Sequence, residues 1–310
     1  MAANVETMFY TRQKPWHGLG TMVAEAPTSK EALSLAGLDW KVLQQPVQTV
    51  RGIPLKGYLA NIRSTDGKVL GVVTDKYRVV QNEEAFAFTD SLLGEGVTYE
   101  TAGSLQEGKK VWLLARLPQR YIISGDEIAP YLVFSNSHDG SGAIKAAMTP
   151  VRVVCNNTLN LALETAKRSW STIHTGELAG KKLDARRSLL YADNYMAELG
   201  KAFERLNRTR VTDRQVLDYI NCLFPDMENM TAQQQKNVSR MKEDLKARYF
   251  DAPDLKGMEK NGYRFINAVS DFATHAKPLR ETKNYRENLF GRTMEGNALI
   301  DRAYDMICAA

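Results

Sequence analysis

The chain has 310 residues, of which 44% are hydrophobic and 25% charged, with a net charge of +5 and a pI near 8.9. That composition excludes a disordered or fibrous chain and a histone-like charge density, and it leaves a polyanion partner open without requiring one. The length allows one large domain or two ordinary ones.

Residues 1–20 show no charged segment followed by an apolar run, so no signal peptide is expected. No run of 18 apolar residues exists, so no transmembrane helix and no membrane partner are expected. Cys155, Cys222 and Cys308 are far apart and odd in number. They read as reduced thiols, and the expected location is the cytoplasm.

In chain order, Thr28-Ser29-Lys30-Glu31 fits a capping box and predicts a short helix that Gly37 ends. Trp40 to Val50 reads as extended. Tyr58–Ile62 and Val69–Val73 flank Asp66-Gly67, a hairpin signal because a primed turn needs positive φ at both central residues. Asn82 is expected to cap a helix from Glu83 to Leu93, ended by Gly94. Strands are expected near 97–103, 110–117, 129–136 and 143–154. Asn156 or Asn157 is then expected to cap a helix from Thr158 to about Arg168.

Beyond residue 176 the apolar positions recur at helical spacing. Examples are Met196, Leu199, Phe203 and Leu206, then Val238, Met241, Leu245 and Tyr249, then Phe265, Val269 and Phe272. All four tryptophans (Trp16, Trp40, Trp112 and Trp170) precede this region. The expected fold class is α+β: a largely antiparallel sheet with flanking helices over 1–175, followed by an all-helical region over 176–310. The charge does not divide the same way, being +2 in the first part and +3 in the second.

Several motifs approach known chemistry and miss it. Gly103 to Lys110 (GSLQEGKK) nearly spells a phosphate loop. However, Lys110 stands where the Mg²⁺-binding hydroxyl belongs, and the segment joins two strands. Gly176 to Lys182 is one residue short of that motif, and Gly18-Leu19-Gly20 lacks the third glycine. His17, His138, His174 and His275 form no metal-ligand pattern, so no cofactor and no metal are expected. His138-Asp139 is the one adjacent pair with the chemistry of a hard-metal site, and it keeps a metal-dependent hydrolase as a third reading. A non-enzymatic protein is the first expectation.

The polar segment 131–163 carries the most information. An apolar strand (Tyr131–Phe134) runs into Ser135-Asn136-Ser137-His138-Asp139-Gly140-Ser141-Gly142. A second strand follows with Lys145, Thr149 and Arg152, then Asn156 and Asn157. Small donors, a helix N-terminus and a basic strand face suit a phosphate. The plain alternative is a hairpin loop with Asp-Gly turn chemistry and an ordinary cap. Arg152 alternates with Val151 and Val153, so it meets either a groove or a buried acid.

Trp16-His17-Gly18-Leu19-Gly20, then SNSHDGSGA at 135–143 and TPVRVVCNNTLN at 149–160, resemble the domain-of-unknown-function 932 family over almost the whole chain, in motif order. The resemblance implies a protein of phages, plasmids and integrated elements. It implies no reaction and carries over no catalytic residue. The element order is also similar to the core of single-strand annealing recombinases of the phage Red-beta type, an analogy of topology alone.

The first functional expectation is therefore nucleic-acid binding, single-stranded DNA foremost, in mobile-element DNA metabolism. Lys145, Arg152, Asn136, Asn156, Asn157, Lys109, Lys110, Tyr77 and Arg78 are the expected contacts, and His138 and Asp139 are expected to shape the loop. The alternative is an interaction protein that inhibits a host defence system or nuclease. The partners expected are nucleic acid first, then a host protein or further copies of the chain.

Overall fold

A computed structural model describes residues 5–11, 21–23, 28–93, 98–117, 119–152, 157–158, 169–176, 194–277 and 296–309. The fold is α+β with largely antiparallel sheets, and its helices cluster in the C-terminal region. Two compact units alternate along the chain. The first takes residues up to 118, then 131–148 and 168–192; the second takes 119–130, 149–167 and the residues from 193 onward. The expected boundary near 176 lies inside the last segment of the first unit. Among the described residues, no helix is long and apolar enough to cross a membrane.

The main sheet of the first unit is built from β1 (Val5–Thr11), β2 (Thr21–Val23), β6 (Thr98–Leu105), β7 (Lys110–Arg116), β9 (Asp126–Ser137), β10 (Ile144–Arg152) and β12 (Ser169–Thr172). The order is β10-β9-β7-β6-β1-β2, with β12 on β10. Among the described residues, the one parallel pairing joins β1 to β2. Register places Phe9 beside Ala102, Ala102 beside Leu113, and Leu113 beside Phe134. All four are 0% exposed, so one fully dry row crosses four strands. Burying such side chains contributes about 1.5–3 kcal/mol for each large one.

Helix α1 (Ser29–Leu35) starts with the expected Thr28–Glu31 capping box, and Gly37 follows it at φ 62°. Helix α2 (Asn82–Leu93) lays Phe88 on Phe134, at 5.7 Å between ring centroids. Its start differs from the sequence expectation. The helix begins at Asn82 itself, and the Glu84 carboxylate accepts from the backbone N–H of Gln81. Asn82 is thereby freed from capping, and its amide turns inward.

A second, three-stranded sheet runs β3 (Val42–Gln48), β4 (Pro54–Arg63), β5 (Val69–Thr74). The Asp66-Gly67 hairpin forms, but not through a two-residue primed turn. Only Gly67 takes positive φ, at 71°. Asp66 instead grips the Arg63 guanidinium with both carboxylate oxygens, at 2.9 and 2.6 Å. The third arm of Arg63 donates to Glu6 at 2.6 Å, and the guanidinium lies 5.6 Å from the Trp40 ring centroid. These carboxylates raise the Arg63 pKa, and the guanidinium in turn holds Asp66 down to about 2.

The second unit holds β8 (Tyr121–Ile123) paired with the start of β9, and β11 (Asn157–Thr158) paired with the end of β10. Asn157 and Thr158 are extended and ladder onto Arg152 and Val151; the rest of the helix expected over 158–168 lies outside the described residues. The helices are α3 (194–208), α4 (Asp213–Leu223), α5 (Ala232–Asp251), α6 (Pro253–Lys256), α7 (Gly262–His275) and α8 (Ala298–Cys308). Helix α7 is central, with every residue from Gly262 to Ser270 buried. A Cβ at Gly262 would lie 2.8 Å from Ile307 and 3.1 Å from Leu206, so glycine is what lets α3, α7 and α8 meet.

In the first unit, β5 presses on the loop after β9. A Cβ at Gly71 would lie 2.5 Å from the Asp139 Cα. Gly71→Ala should lower the unfolding free energy by about 2 kcal/mol in urea titration, the usual cost of overpacking. A change within experimental error would show that the loop can retreat.

Candidate functional site

The polar segment after β9 folds back into the first unit. His138 is 0% exposed, Asn136 2% and Ser137 3%, so this loop is interior. The backbone groups that turn inward meet donors and acceptors placed by other elements. Asn61 on β4 donates its amide to the His138 carbonyl at 2.7 Å, and the His138 N–H donates to the Lys109 carbonyl at 2.7 Å. Tyr77 donates its hydroxyl to the Ser137 carbonyl in a short hydrogen bond. Asn136 donates to the Val80 carbonyl at 2.9 Å.

Asn82 joins the loop to helix α2. Its amide N–H donates to the Leu38 carbonyl at 2.9 Å, which leaves Oδ1 facing His138 Nε2 at 2.9 Å. An amide oxygen can only accept, so Nε2 carries the imidazole proton. Nδ1 is then a bare lone pair, buried with no hydrogen-bond partner among the described residues. The Trp40 ring meets the imidazole edge-on at 5.3 Å. Burial, then the nearby His174, push the His138 pKa down to about 3, against the opposing pull of Asp139. His138 is therefore neutral at physiological pH.

Asp139 turns the chain outward. Burial favours its neutral form. Hydrogen bonds from the Ser137 hydroxyl at 2.7 Å and the Ser141 N–H at 2.9 Å outweigh that, and hold the carboxyl below its usual range. Gly140 at φ 77° completes the turn. The Asp139 carboxylate is thus held within the loop, whereas the His138 imidazole reaches helix α2 through Asn82. Among the described residues, no three His, Cys, Asp or Glu side chains gather as metal ligands.

Of the other expected contacts, Tyr77, Lys109 and Lys110 meet this same loop, Lys110 pairing with Ser137 across β7 and β9. Tyr77 is buried and stacks on His174 at 4.4 Å, and burial followed by Asp139 raises its pKa. Arg78 is exposed, with its backbone carbonyl facing His174 Nδ1 at 3.2 Å. Lys109, Lys110 and Lys145 are half-buried at strand ends. Gln106, Glu107 and Gly108 carry positive φ between β6 and β7, so the phosphate-loop look-alike is a hairpin turn. Trp112 is buried, and Trp170 packs against the core. Asn156 and the side chains of Arg152 and Asn157 lie outside the described residues, as does Trp16 to Gly20.

The second unit holds a cavity of about 320 Å³ lined by Ser124, Asn207, Met258, Glu259, Asn261 and Tyr263. Its amides pair internally, with Asn261 donating to Asn207 and accepting from the Arg264 N–H.

What sequence reading missed is the charge of the strand pair β3–β4, not its strands. From Lys41 to Ile62 there are three basic residues, Lys41, Arg51 and Lys56, and no acidic residue. All three are exposed. The signal was available as a local absence of carboxylates in a chain whose total charge is nearly balanced.

Acid should unfasten this loop. His138 is neutral when folded but protonates in the unfolded chain below its ordinary value of 6.5. Its contribution is complete above 6.5 and is lost as pH falls toward 3, at up to about 1.4 kcal/mol per unit. The carboxyl of Asp139 adds loss of the same sign at the acid end. Urea unfolding measured from pH 7 to 4 should show stability falling, and His138→Leu should flatten that limb. An unchanged slope in the variant would assign the acid loss elsewhere.

Comparison with known proteins adds one assignment. No curated protein and no solved structure matches the chain. A family model described as Domain of unknown function (DUF932) matches residues 69–291. That span takes in the loop after β9 and most of the helical region, and the chain belongs to this family.

Proposed function

We propose that the protein binds nucleic acid, with single-stranded DNA the preferred form, in the DNA metabolism of phages and plasmids. The observation that carries this reading is the acid-free strand pair β3–β4 with its exposed Lys41, Arg51 and Lys56. Lys41 lies at one end of the pair and Arg51 and Lys56 at the other, with the exposed Asp39 and Asp75 just outside the strands; exposed cations attract phosphates and release counterions. Asn136 and Tyr77 serve the interior instead, since a buried side chain already paired cannot reach a polymer. Arg78, close to the exposed Lys76, extends the cationic surface beyond β5.

A second reading has its own support. Val50, Ile53 and Leu55 at the end of the same strand pair are 107%, 61% and 45% exposed. Apolar side chains at a protruding tip suit a protein groove, as an inhibitor of a host defence system or nuclease would require. Co-purification of a stoichiometric host protein that survives nuclease treatment would favour it.

Titration of a labelled oligonucleotide at two salt concentrations tests the first reading. Affinity should fall steeply with salt. Arg51→Ala with Lys56→Ala should make that dependence shallower, by about 0.7 in slope for each single-strand phosphate no longer neutralised. Micromolar protein that leaves the oligonucleotide free at low salt would contradict it.

A further inference from the structure

The three-stranded sheet has two unlike faces. Register puts Asn61, Gly71 and Val73 on the face that holds the buried loop. The opposite face carries Leu43 from β3, Tyr58 from β4, and Val69 and Val72 from β5. Their exposures are 46%, 50%, 53% and 54%. Four large apolar side chains on three adjacent strands form a continuous surface, not scattered exceptions.

We propose that this face is a stacking platform for the bases of a single strand. The inference rests on the nucleic-acid reading above and deepens it by naming the face and the contact, stacking of unpaired bases. Tyr58 offers an exposed aromatic plane in the middle strand. Lys56 is two residues along the same strand, about 7 Å away. Lys41 is exposed just before β3, two residues from Leu43. The platform therefore has cations at both ends.

Charge complementarity selects the occupant. Strands β3, β4 and β5 contain no carboxylate, and the exposed Asp75 comes just after β5, its N–H on the Gly57 carbonyl. A second copy docked face to face would bring the lysines of both copies together with nothing on these strands to neutralise them. A polyanion whose bases are unstacked meets both the apolar surface and the cations. Duplex DNA keeps its bases inside, so it could use only the cations.

The full chain should be titrated by fluorescence anisotropy with a labelled oligothymidylate of about 20 nucleotides and with a duplex of the same length. The single strand should bind more tightly. Tyr58→Ala should weaken it roughly 10-fold, and Tyr58→Phe should restore most of the affinity. Val72→Asp places a carboxylate on the platform and should weaken single-strand binding while the thermal unfolding midpoint stays near that of the wild type. Wild-type binding to the single strand that Tyr58→Ala and Val72→Asp both leave intact overturns the platform and spares the nucleic-acid reading. Duplex preference overturns the platform as well. A wild-type chain that binds neither probe overturns both.

Discussion

The enclosed imidazole of His138 is the contact on which the first unit depends. It donates its Nε2–H to the Asn82 amide oxygen on helix α2 and meets Trp40 from the chain entering β3, while its residue's own carbonyl accepts from the Asn61 amide of β4. Three elements far apart in sequence are thus registered on one residue. A buried ring can fill this role only when neutral, and the same burial that makes the contact dry keeps it so. The tight approach of Gly71 to Asp139 follows from this, because the loop has no freedom to stand off from β5.

The arrangement separates holding from touching. A segment rich in serine, asparagine, histidine and glycine looks like a binding loop when read as a string. Several of its donors and acceptors instead close on Val80, Lys109, Tyr77 and Asn61, while Asn136 Oδ1 and His138 Nδ1 are buried without a hydrogen-bond partner among the described residues. The surface left open is the reverse face of the small sheet that this loop anchors. A loop that fixes β4 from behind also fixes Tyr58 in front, so rigidity inside the unit becomes preorganisation on the proposed platform.

Much of the fold was legible where the chemistry is local. Thr28 and Glu31 announce α1 through two reciprocal hydrogen bonds, and the helical spacing of Phe265, Val269 and Phe272 announces α7. Asp66-Gly67 correctly placed a hairpin but not its turn, since the clamp on Arg63 belongs to a wider network that reaches Glu6. Asn82 looked like a cap because asparagine favours that position. Its true partners, Leu38 and His138, are 44 and 56 residues away and leave no local trace. The same holds for β1, whose pairing with β6 closes across nearly a hundred residues. At the site, the Asp139-Gly140 turn was legible because turn chemistry is local, whereas the partner of His138, Asn82, lies 56 residues away. The burial of Tyr77 and Asn136 was not, because burial is a property of what packs on them.

The central claim is that His138 is a neutral, single-tautomer fastener inside the fold. Nitrogen-15 NMR of the histidine side chains between pH 4 and 8 tests it most directly. The account predicts a proton fixed on Nε2, a bare Nδ1, and no titration of His138 across that range. Titration near 6.5, or averaging between the two tautomers, would contradict it and return the loop to solvent.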